Sequence, residues 1–158
     1  MKNGKIMGTV WGDPELISFL QNLFKGQRSA ALATQERGQP YLSLMAFAAT
    51  PDLKTIVLAT DRYTRKYTNL MVEPRVALLI DNRSNTAKDT QEAVAVTALG
   101  EAAEITGEER EKFLTLFLDK HPHLATFAAS DSCALIAVRI YRYVVVERFQ
   151  EVRELKVL

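Results

Sequence analysis

Three β-rich segments follow one another early in the chain, and this order restricts the possible folds more than any other feature. They cover residues 30–34, 41–48 and 55–60, and only short turns containing Gly38-Gln39-Pro40 and Pro51-Asp52 separate them. Strands joined by short turns pair antiparallel, whereas parallel strands need a long crossover connection. The sequence therefore predicts a mainly antiparallel sheet rather than repeated βαβ units.

Two helices near these strands are predicted from their termini. Asp13 is an N-cap residue, Pro14 fits the first turn, and Gly26 fits the end of the first helix. The apolar face of this helix is formed by Leu16, Phe19, Leu20, Leu23 and Phe24. A second helix covers residues 64–72 and must stop there, because Pro74 disfavours helical geometry in the residue before it.

The remaining segments complete a mainly antiparallel pattern. Strands are predicted at residues 75–80, 93–104, 133–140 and 143–147, with a bend at Gly100. Thr106 and Glu109 have the spacing of a capping box for a third helix, which His121-Pro122 ends. Its apolar stripe consists of Phe113, Leu114, Phe117 and Leu118, and a short helical turn with Leu124 and Phe127 follows. About six strands and three or four helices predict a closed or nearly closed barrel with helices packed outside.

The composition is that of one globular domain, residues 1–158. A chain of 158 residues, 47% of them apolar, can bury a core, and a formal net charge of +1 lacks the basic excess that binds nucleic acid. Cys133 is the only cysteine, so we expect a reducing compartment, the cytoplasm. Residues 1–11 lack an apolar signal segment, and no stretch reaches the roughly 20 apolar residues of a membrane span, so we expect no membrane partner.

Cations and hydroxyl groups gather where the third strand leads into the second helix. Arg62, Thr64, Arg65 and Lys66 lie around the predicted helix N-terminus, whose free N–H groups and dipole attract anions. These residues therefore predict a phosphate site. The alternative is an ordinary solvated helix face with Thr64 acting only as N-cap. The sequence contains no glycine-rich phosphate loop, which excludes the common nucleotide folds.

Other reactive side chains give no catalytic set. The two histidines, His121 and His123, cannot form a three-histidine metal site, and we expect His121 to place its partial positive charge at a helix C-terminus, with haem ligation as the alternative. Cys133 has no neighbour that would activate it, and no serine lies in a nucleophile elbow. No metal site is predicted. This pattern favours a protein in which a redox cofactor supplies the chemistry.

Several short motifs, in their order and spacing, resemble the FMN-binding split-barrel family that includes pyridoxamine 5'-phosphate oxidase. The motifs are Leu32-Ala33-Thr34, Gly38-Gln39-Pro40, Ser43-Leu44-Met45, Leu58-Ala59-Thr60, Thr64-Arg65-Lys66, Asn69-Leu70, Pro74 to Leu78 and Gly100-Glu101-Ala102. The resemblance covers roughly residues 28–105. It implies a six-stranded, mostly antiparallel split β-barrel that forms a homodimer, with FMN at the subunit interface.

The resemblance also implies which residues contact the cofactor. Thr60, Thr64, Arg65 and Lys66 match the segment that holds the FMN phosphate, and the neighbouring Ala59 is also a candidate cofactor contact. The strand that matches Ser43, Leu44 and Met45 runs beside the isoalloxazine ring and offers it backbone donors and acceptors.

A later loop is a second source of cofactor contacts. Asn82 and Arg83 are predicted to reach the ribityl chain or the phosphate, with a simple surface turn as the alternative. Gln91 lies near a position from which family members contact the cofactor, commonly across the interface.

The resulting hypothesis is an FMN-dependent oxidoreductase acting on a small molecule. Residues 149–158 lack the arginine-bearing ending associated with pyridoxamine 5'-phosphate oxidase, so we expect a different substrate. The alternatives are a non-catalytic flavin or haem carrier or sensor, suggested by His121-Pro122-His123, a deazaflavin-binding protein, and a purely structural interaction domain.

Overall fold

Eight strands and five α-helices form the part of the chain that the computed structural model describes, residues 6–9, 12–148 and 150–157. The strands are β1 (Ile6–Thr9), β2 (Ser29–Glu36), β3 (Gln39–Ala49), β4 (Thr55–Asp61), β5 (Arg75–Asp81), β6 (Ala95–Glu104), β7 (Cys133–Glu147) and β8 (Glu151–Lys156). The helices are α1 (Pro14–Gly26), α2 (Arg65–Val72), α3 (Asp89–Glu92), α4 (Glu109–Lys120) and α5 (Ala125–Ala128), with a 3-10 turn at Pro122–Leu124.

Six of the strands close into a barrel. Neighbours around the ring are β7, β4, β3, β2, β5 and β6, and pairing of β6 with β7 completes it. Every pair in this ring is antiparallel. The predicted antiparallel barrel is therefore confirmed. Outside the ring, β8 pairs antiparallel with the second half of β7, and β1 adds to β8 in parallel.

The barrel interior is filled by alternate residues of each strand and by α1. In β2, for example, Ala30, Leu32 and Thr34 are buried while their neighbours are partly exposed, as period-two packing requires. Helix α1 begins as predicted, because the Asp13 carboxylate accepts from the backbone N–H groups of Glu15 and Leu16. Its apolar side joins this core through four buried residues, Leu16, Leu20, Leu23 and Phe24.

A second apolar cluster covers part of the outer surface of the barrel. Here Ala48, Val57 and Leu135, which point outward from β3, β4 and β7, pack with Phe117 of α4. Helix α4 therefore covers one section of the sheet. Leu42 and Leu44 of β3 and Leu79 of β5, in contrast, are exposed.

Strands β3 and β4 separate after a short contact. They pair only through Phe47, Ala48 and Ala49, whereas all seven residues of β4 pair with β7. The first eight residues of β3, 39–46, pair only with β2 among the described strands. This separation opens the barrel wall at the place where the sequence predicts the cofactor ring.

Two sequence expectations about local structure are wrong, and some elements were not expected. Residues 133–140 and 143–147 form one strand, because a bulge at Tyr141 lets β7 bend without ending: Leu99 pairs with Arg142, and Gly100 pairs with Ile140. The predicted capping box is absent, since α4 begins at Glu109 without a side-chain cap. Strand β8 and helix α3 were not expected.

Gly100, where the sequence predicts a bend, lies close to the backbone of β7, which gives a test of the fold. A Cβ atom at Gly100 would clash with the Arg139 carbonyl oxygen and lie 2.9 Å from Val138 Cγ1. We expect Gly100→Ala to lower the free energy of unfolding by about 1–3 kcal/mol. Gly26→Ala, where a Cβ would meet nothing within 4 Å, is the matched control. Equal stability of the two variants in thermal denaturation would contradict this assignment.

Candidate cofactor site at the open edge of the barrel

The open edge of β3 contains the three residues predicted to lie beside a flavin ring. Ser43, Leu44 and Met45 belong to the stretch that β4 leaves unpaired. Every second residue of such an edge directs its N–H and C=O groups away from the strand that it pairs with. Leu44 is 77% exposed and Met45 is buried, so the two side chains lie on opposite faces. The backbone at this edge can therefore hydrogen-bond a planar ligand.

A cluster of hydrogen-bonding groups lies at the adjacent end of β4. The Thr60 and Thr64 hydroxyl oxygens are 3.1 Å apart, and Thr64 caps α2 by accepting from Tyr67 N–H at 3.3 Å. The backbone N–H groups of Arg65 and Lys66 have no acceptor among the described residues. A helix N-terminus with free N–H groups and positive dipole charge favours an anion.

Two of the three cations near this helix start remain available to a ligand. Arg65 pairs with Glu36 at 3.8 Å, but both side chains are more than half exposed, so this contact contributes only ~0–1 kcal/mol. Lys66 forms no ion pair with any described residue. Either side chain can turn toward an anion at little cost.

The third cation, Arg62, is committed to the protein itself. Its Nε and Nη2 atoms donate to the two carboxylate oxygens of Glu104, both at 3.1 Å, and its Nη1 donates to the Asp131 carbonyl at 2.8 Å. The Tyr67 hydroxyl donates to the same Glu104 carboxylate at 2.8 Å. Arg62 therefore fixes the loop between β4 and α2 instead of supplying ligand charge.

The same loop is held from its other side by Asp61. Its carboxylate accepts from the backbone N–H of Tyr63 at 2.8 Å and from the Ser132 hydroxyl at 2.7 Å. These two hydrogen bonds lower the pKa of Asp61, so the carboxylate stays ionised. Sequence reasoning missed the partners of this network, because Arg62 and Glu104 are 42 residues apart and no motif connects them.

Asn82, Arg83 and Gln91 lie at the opposite end of the barrel from Thr64. The register of β7 shows this directly: Asp61 pairs with Cys133, while Ala95, the partner of Asp81, pairs with Val146. These two positions are thirteen residues apart in β7, which corresponds to roughly 40 Å along the strand. Asn82 Oδ1 accepts from Val94 N–H at 2.7 Å, Arg83 pairs with Asp81 at 3.1 Å, and Gln91 is exposed on α3. One chain alone does not bring the two groups together.

The four shallow clefts on the surface are formed by other residues. Their volumes are about 410 to 520 Å³. One of about 410 Å³ includes Gln35, Gly38, Arg75, Leu99 and Tyr141 on the uncovered outer face, next to the open edge. The predicted phosphate residues do not line any of these four clefts.

The expected role of His121 is wrong in one respect. It ends α4 as predicted, with its N–H bonded to the Phe117 carbonyl, but its side chain is buried. Burial lowers the pKa of His121, outweighing the bond that Nε2 donates to the Phe47 carbonyl at 2.8 Å. A neutral ring contributes no positive charge to the helix dipole. Its Nε2 atom is also occupied, which disfavours haem ligation through that nitrogen.

Within the described residues, no helix is long and apolar enough to cross a membrane, and no group of three or more His, Cys, Asp or Glu side chains is arranged to hold a metal ion. Cys133 is buried as expected, and burial raises the pKa of its thiol, which keeps it protonated and unreactive.

The buried neutral state of His121 predicts a pH effect on stability. The unfolded chain protonates this side chain near the ordinary pKa of ~6.5, above the folded value, so the unfolded state binds more protons as pH falls below that point. We expect the free energy of unfolding to fall between pH 7 and 5.5 and this fall to be smaller in His121→Gln. The His123→Gln variant should still show this fall, because the buried His121 ring remains in place. Identical pH profiles for wild type and His121→Gln in chemical denaturation would contradict the assignment.

Solved structures show that this fold is shared by proteins of low sequence identity. The heme binding protein of Mycobacterium smegmatis superposes with a TM-score of 0.80 at 17% identity, over 90% of this chain and 58% of the other. This chain thus spans little more than half the length of that relative. A putative pyridoxamine 5'-phosphate oxidase of Listeria innocua gives 0.66 at 13% identity, over 83% and 98% of the two chains. A FAD-binding protein of Mesorhizobium loti gives 0.65 at 15%, over 81% and 90%.

Comparison of the sequence itself identifies the family. No curated protein matches the chain. The sequence profile of pyridoxamine 5'-phosphate oxidase, in contrast, matches residues 16–152, which include all six barrel strands, α2 and the open edge of β3. By this match the chain belongs to the pyridoxamine 5'-phosphate oxidase family, whose split barrel it forms.

Proposed function

We propose that this protein is a homodimeric, FMN-dependent oxidoreductase that acts on a small molecule in the cytoplasm. The observation that carries the proposal is the position of the open β3 edge beside the start of α2. One surface thus combines backbone donors and acceptors for a planar ring with hydroxyls, free N–H groups and two cations for a phosphate. These are the two kinds of chemistry that FMN presents.

The residues fit the phosphate group of FMN better than they fit an uncharged ligand. Thr60 and Thr64 supply hydroxyls, Arg65 and Lys66 supply N–H groups and positive charge, and nearby Arg62 is already neutralised by Glu104. Charge-assisted hydrogen bonds of this type contribute more than neutral ones. When bound, FMN would supply hydride transfer, while the β3 backbone would orient the ring and tune its electronics.

An uncovered apolar face supports the homodimer. Its residues point outward from β3, β2, β5 and β6, and they are Leu42, Leu44, Ala31, Ala33, Ala77, Leu79 and Leu99. Leu42 is 69% exposed and Leu44 is 77% exposed, which is unusual for adjacent leucines of one strand face. Arg142 lies opposite Leu99, and its buried Nε atom has no acceptor among the described residues. A second chain can cover the leucines and supply that acceptor.

In a dimer, Asn82, Arg83 and Gln91 of one chain could contact the cofactor whose phosphate is held by the other chain. They lie far from Thr64 in their own chain, so any contribution to its site must come from the partner subunit. Each cofactor would then take its phosphate contacts at α2 from one chain and further polar contacts from the other. This arrangement is part of the proposal.

Haem binding by a non-catalytic carrier or sensor is the second candidate, favoured by the fold shared with the heme binding protein. His123 is exposed, whereas His121 is buried and bonded to Phe47. A haem ligand from this pair would therefore be His123. The first experiment is an absorbance spectrum of the purified protein, followed by titration with FMN, a deazaflavin and haem. Binding of haem but not FMN, with loss of the Soret shift in His123→Ala, would replace the first proposal with the second.

Charge at the start of α2 predicts selective effects on FMN. We expect Arg65→Ala or Lys66→Ala to weaken FMN about 10- to 100-fold, corresponding to roughly 1.5–3 kcal/mol for a lost charge-assisted contact. Riboflavin lacks the phosphate, so its affinity should not change. Lys54→Ala, an exposed cation in the β3–β4 turn, is the control. The phosphate assignment fails if both ligands weaken equally in fluorescence titrations.

The apolar face predicts the effect of a charge on assembly. We expect Leu44→Glu to convert a dimer to a monomer and to reduce FMN affinity, because a carboxylate cannot be buried there without a partner. Phe127→Glu, an exposed aromatic on α5, should leave the dimer intact. Light scattering that finds wild type monomeric with bound FMN would refute the shared site.

A further inference from the structure

An aromatic residue on the open edge of β3 lies against one of the two cations of the proposed phosphate site. Tyr41 belongs to the stretch of β3 that β4 leaves unpaired, two residues before Ser43. Its side chain is 41% exposed, and the Arg65 Cζ atom lies over its ring, 5.7 Å from the ring centre. A guanidinium within about 6 Å of an aromatic face is attracted by the ring electrons. Tyr41 therefore connects the edge of β3 to the first turn of α2.

A buried hydrogen bond holds α2 against the barrel at the same level. Asn69 Nδ2 donates to the Thr34 hydroxyl oxygen at 3.0 Å, and both side chains are buried. Thr34 is the direct partner of Tyr41 in the pairing of β2 with β3. Asn69 follows Arg65 by four residues, so the two side chains lie on the same face of α2. The contact between Tyr41 and Arg65 thus follows from the way α2 packs on β2 and β3.

The ion pair of Arg65 with Glu36 is the weaker of its two contacts toward a ligand. The two side chains are 3.8 Å apart and more than half exposed, so water screens their attraction. A phosphate at the start of α2 can replace Glu36 as the anionic partner of Arg65. The Tyr41 ring does not compete with that phosphate, because an uncharged aromatic face can stay beside a guanidinium while its N–H groups donate elsewhere.

We propose that Tyr41 is a positioning residue of the cofactor site, which holds Arg65 for the phosphate and so increases the preference for FMN over riboflavin. This inference rests on the proposed function, because it requires a phosphate at the start of α2. Tyr41 acts through Arg65 and need not touch the cofactor itself. Without the ring, the long Arg65 side chain has more rotamers to lose when it is fixed on the phosphate.

The test compares FMN with riboflavin, which lacks the phosphate, by fluorescence titration of each variant. We expect Tyr41→Leu to lower the ratio of FMN affinity to riboflavin affinity about two- to fivefold, the effect of losing a cation–π contact at an exposed site. Tyr41→Phe keeps an aromatic face and should keep the ratio of wild type. Phe127→Leu is the matched control, since Phe127 is also 41% exposed but lies on α5, and its ratio should not change.

A double-mutant cycle shows whether Tyr41 acts through Arg65. In an Arg65→Ala background, Tyr41→Leu should change the ratio no further, because the contact between the two side chains is already absent. Damage to the edge of β3 would instead weaken FMN and riboflavin together, and it would persist in the Arg65→Ala background.

The possible outcomes separate this inference from the proposed function. An unchanged ratio in Tyr41→Leu, an equal fall in Tyr41→Phe, or a fall that persists without Arg65 would each overturn the role of Tyr41. In those cases, FMN binding by wild type and its weakening in Arg65→Ala would still support the proposed function. A wild-type protein that binds FMN no better than riboflavin would overturn both.

Discussion

Pairing of β7 with β6 and β4 is the contact on which the rest of the structure depends. Strand β7 forms seven pairs with β4 and ten with β6, so it closes the ring and draws β4 along its own direction. Because β4 follows β7, it leaves β3 after three residue pairs. The same closure brings Glu104 of β6 within reach of Arg62. The open edge and the fixed loop beside it are thus two results of one strand pairing.

The sequence predicts those parts of the fold that short-range chemistry controls. The start of α1 follows from Asp13, and Pro74 explains why α2 stops at Val72, because both act on neighbouring backbone. Strand β8 was not predicted, because four of its six residues are charged and only one of the six, Leu155, is buried. Its Arg153 pairs with Asp13, which is 140 residues away in the sequence, and with Glu147 at the end of β7. The capping box failed for the opposite reason, since a local pattern was present but the helix starts two residues later than that pattern predicts.

In the candidate site, too, the positions set by neighbouring residues could be predicted from the sequence, whereas those set by the strand arrangement could not. The grouping of Thr60, Thr64, Arg65 and Lys66 was readable from spacing, because a strand end that leads into a helix keeps neighbours in sequence close in space. The distance between this group and Asn82 was not readable, since it depends on the direction of β5 and β6 in the ring. Likewise, the patterns of β2, β3, β5 and β6 place seven small or aliphatic residues outward, but only the uncovered face shows that they lie together.

Three basic residues at the start of α2 show how position decides chemistry. Arg62 lies before the helix and forms a planar bidentate pair with Glu104. This pair neutralises the charge of Arg62 and fixes the loop. Arg65 and Lys66 lie in the first turn, where positive side chains oppose the helix dipole. Such residues destabilise the isolated helix slightly, and the helix has no acidic residue in that turn to compensate. An anion bound at the N-terminus removes this conflict, because it satisfies the free N–H groups, the dipole and both side chains at once. The local cost of placing two cations there is therefore the physical reason to expect a negatively charged ligand at this end of the barrel.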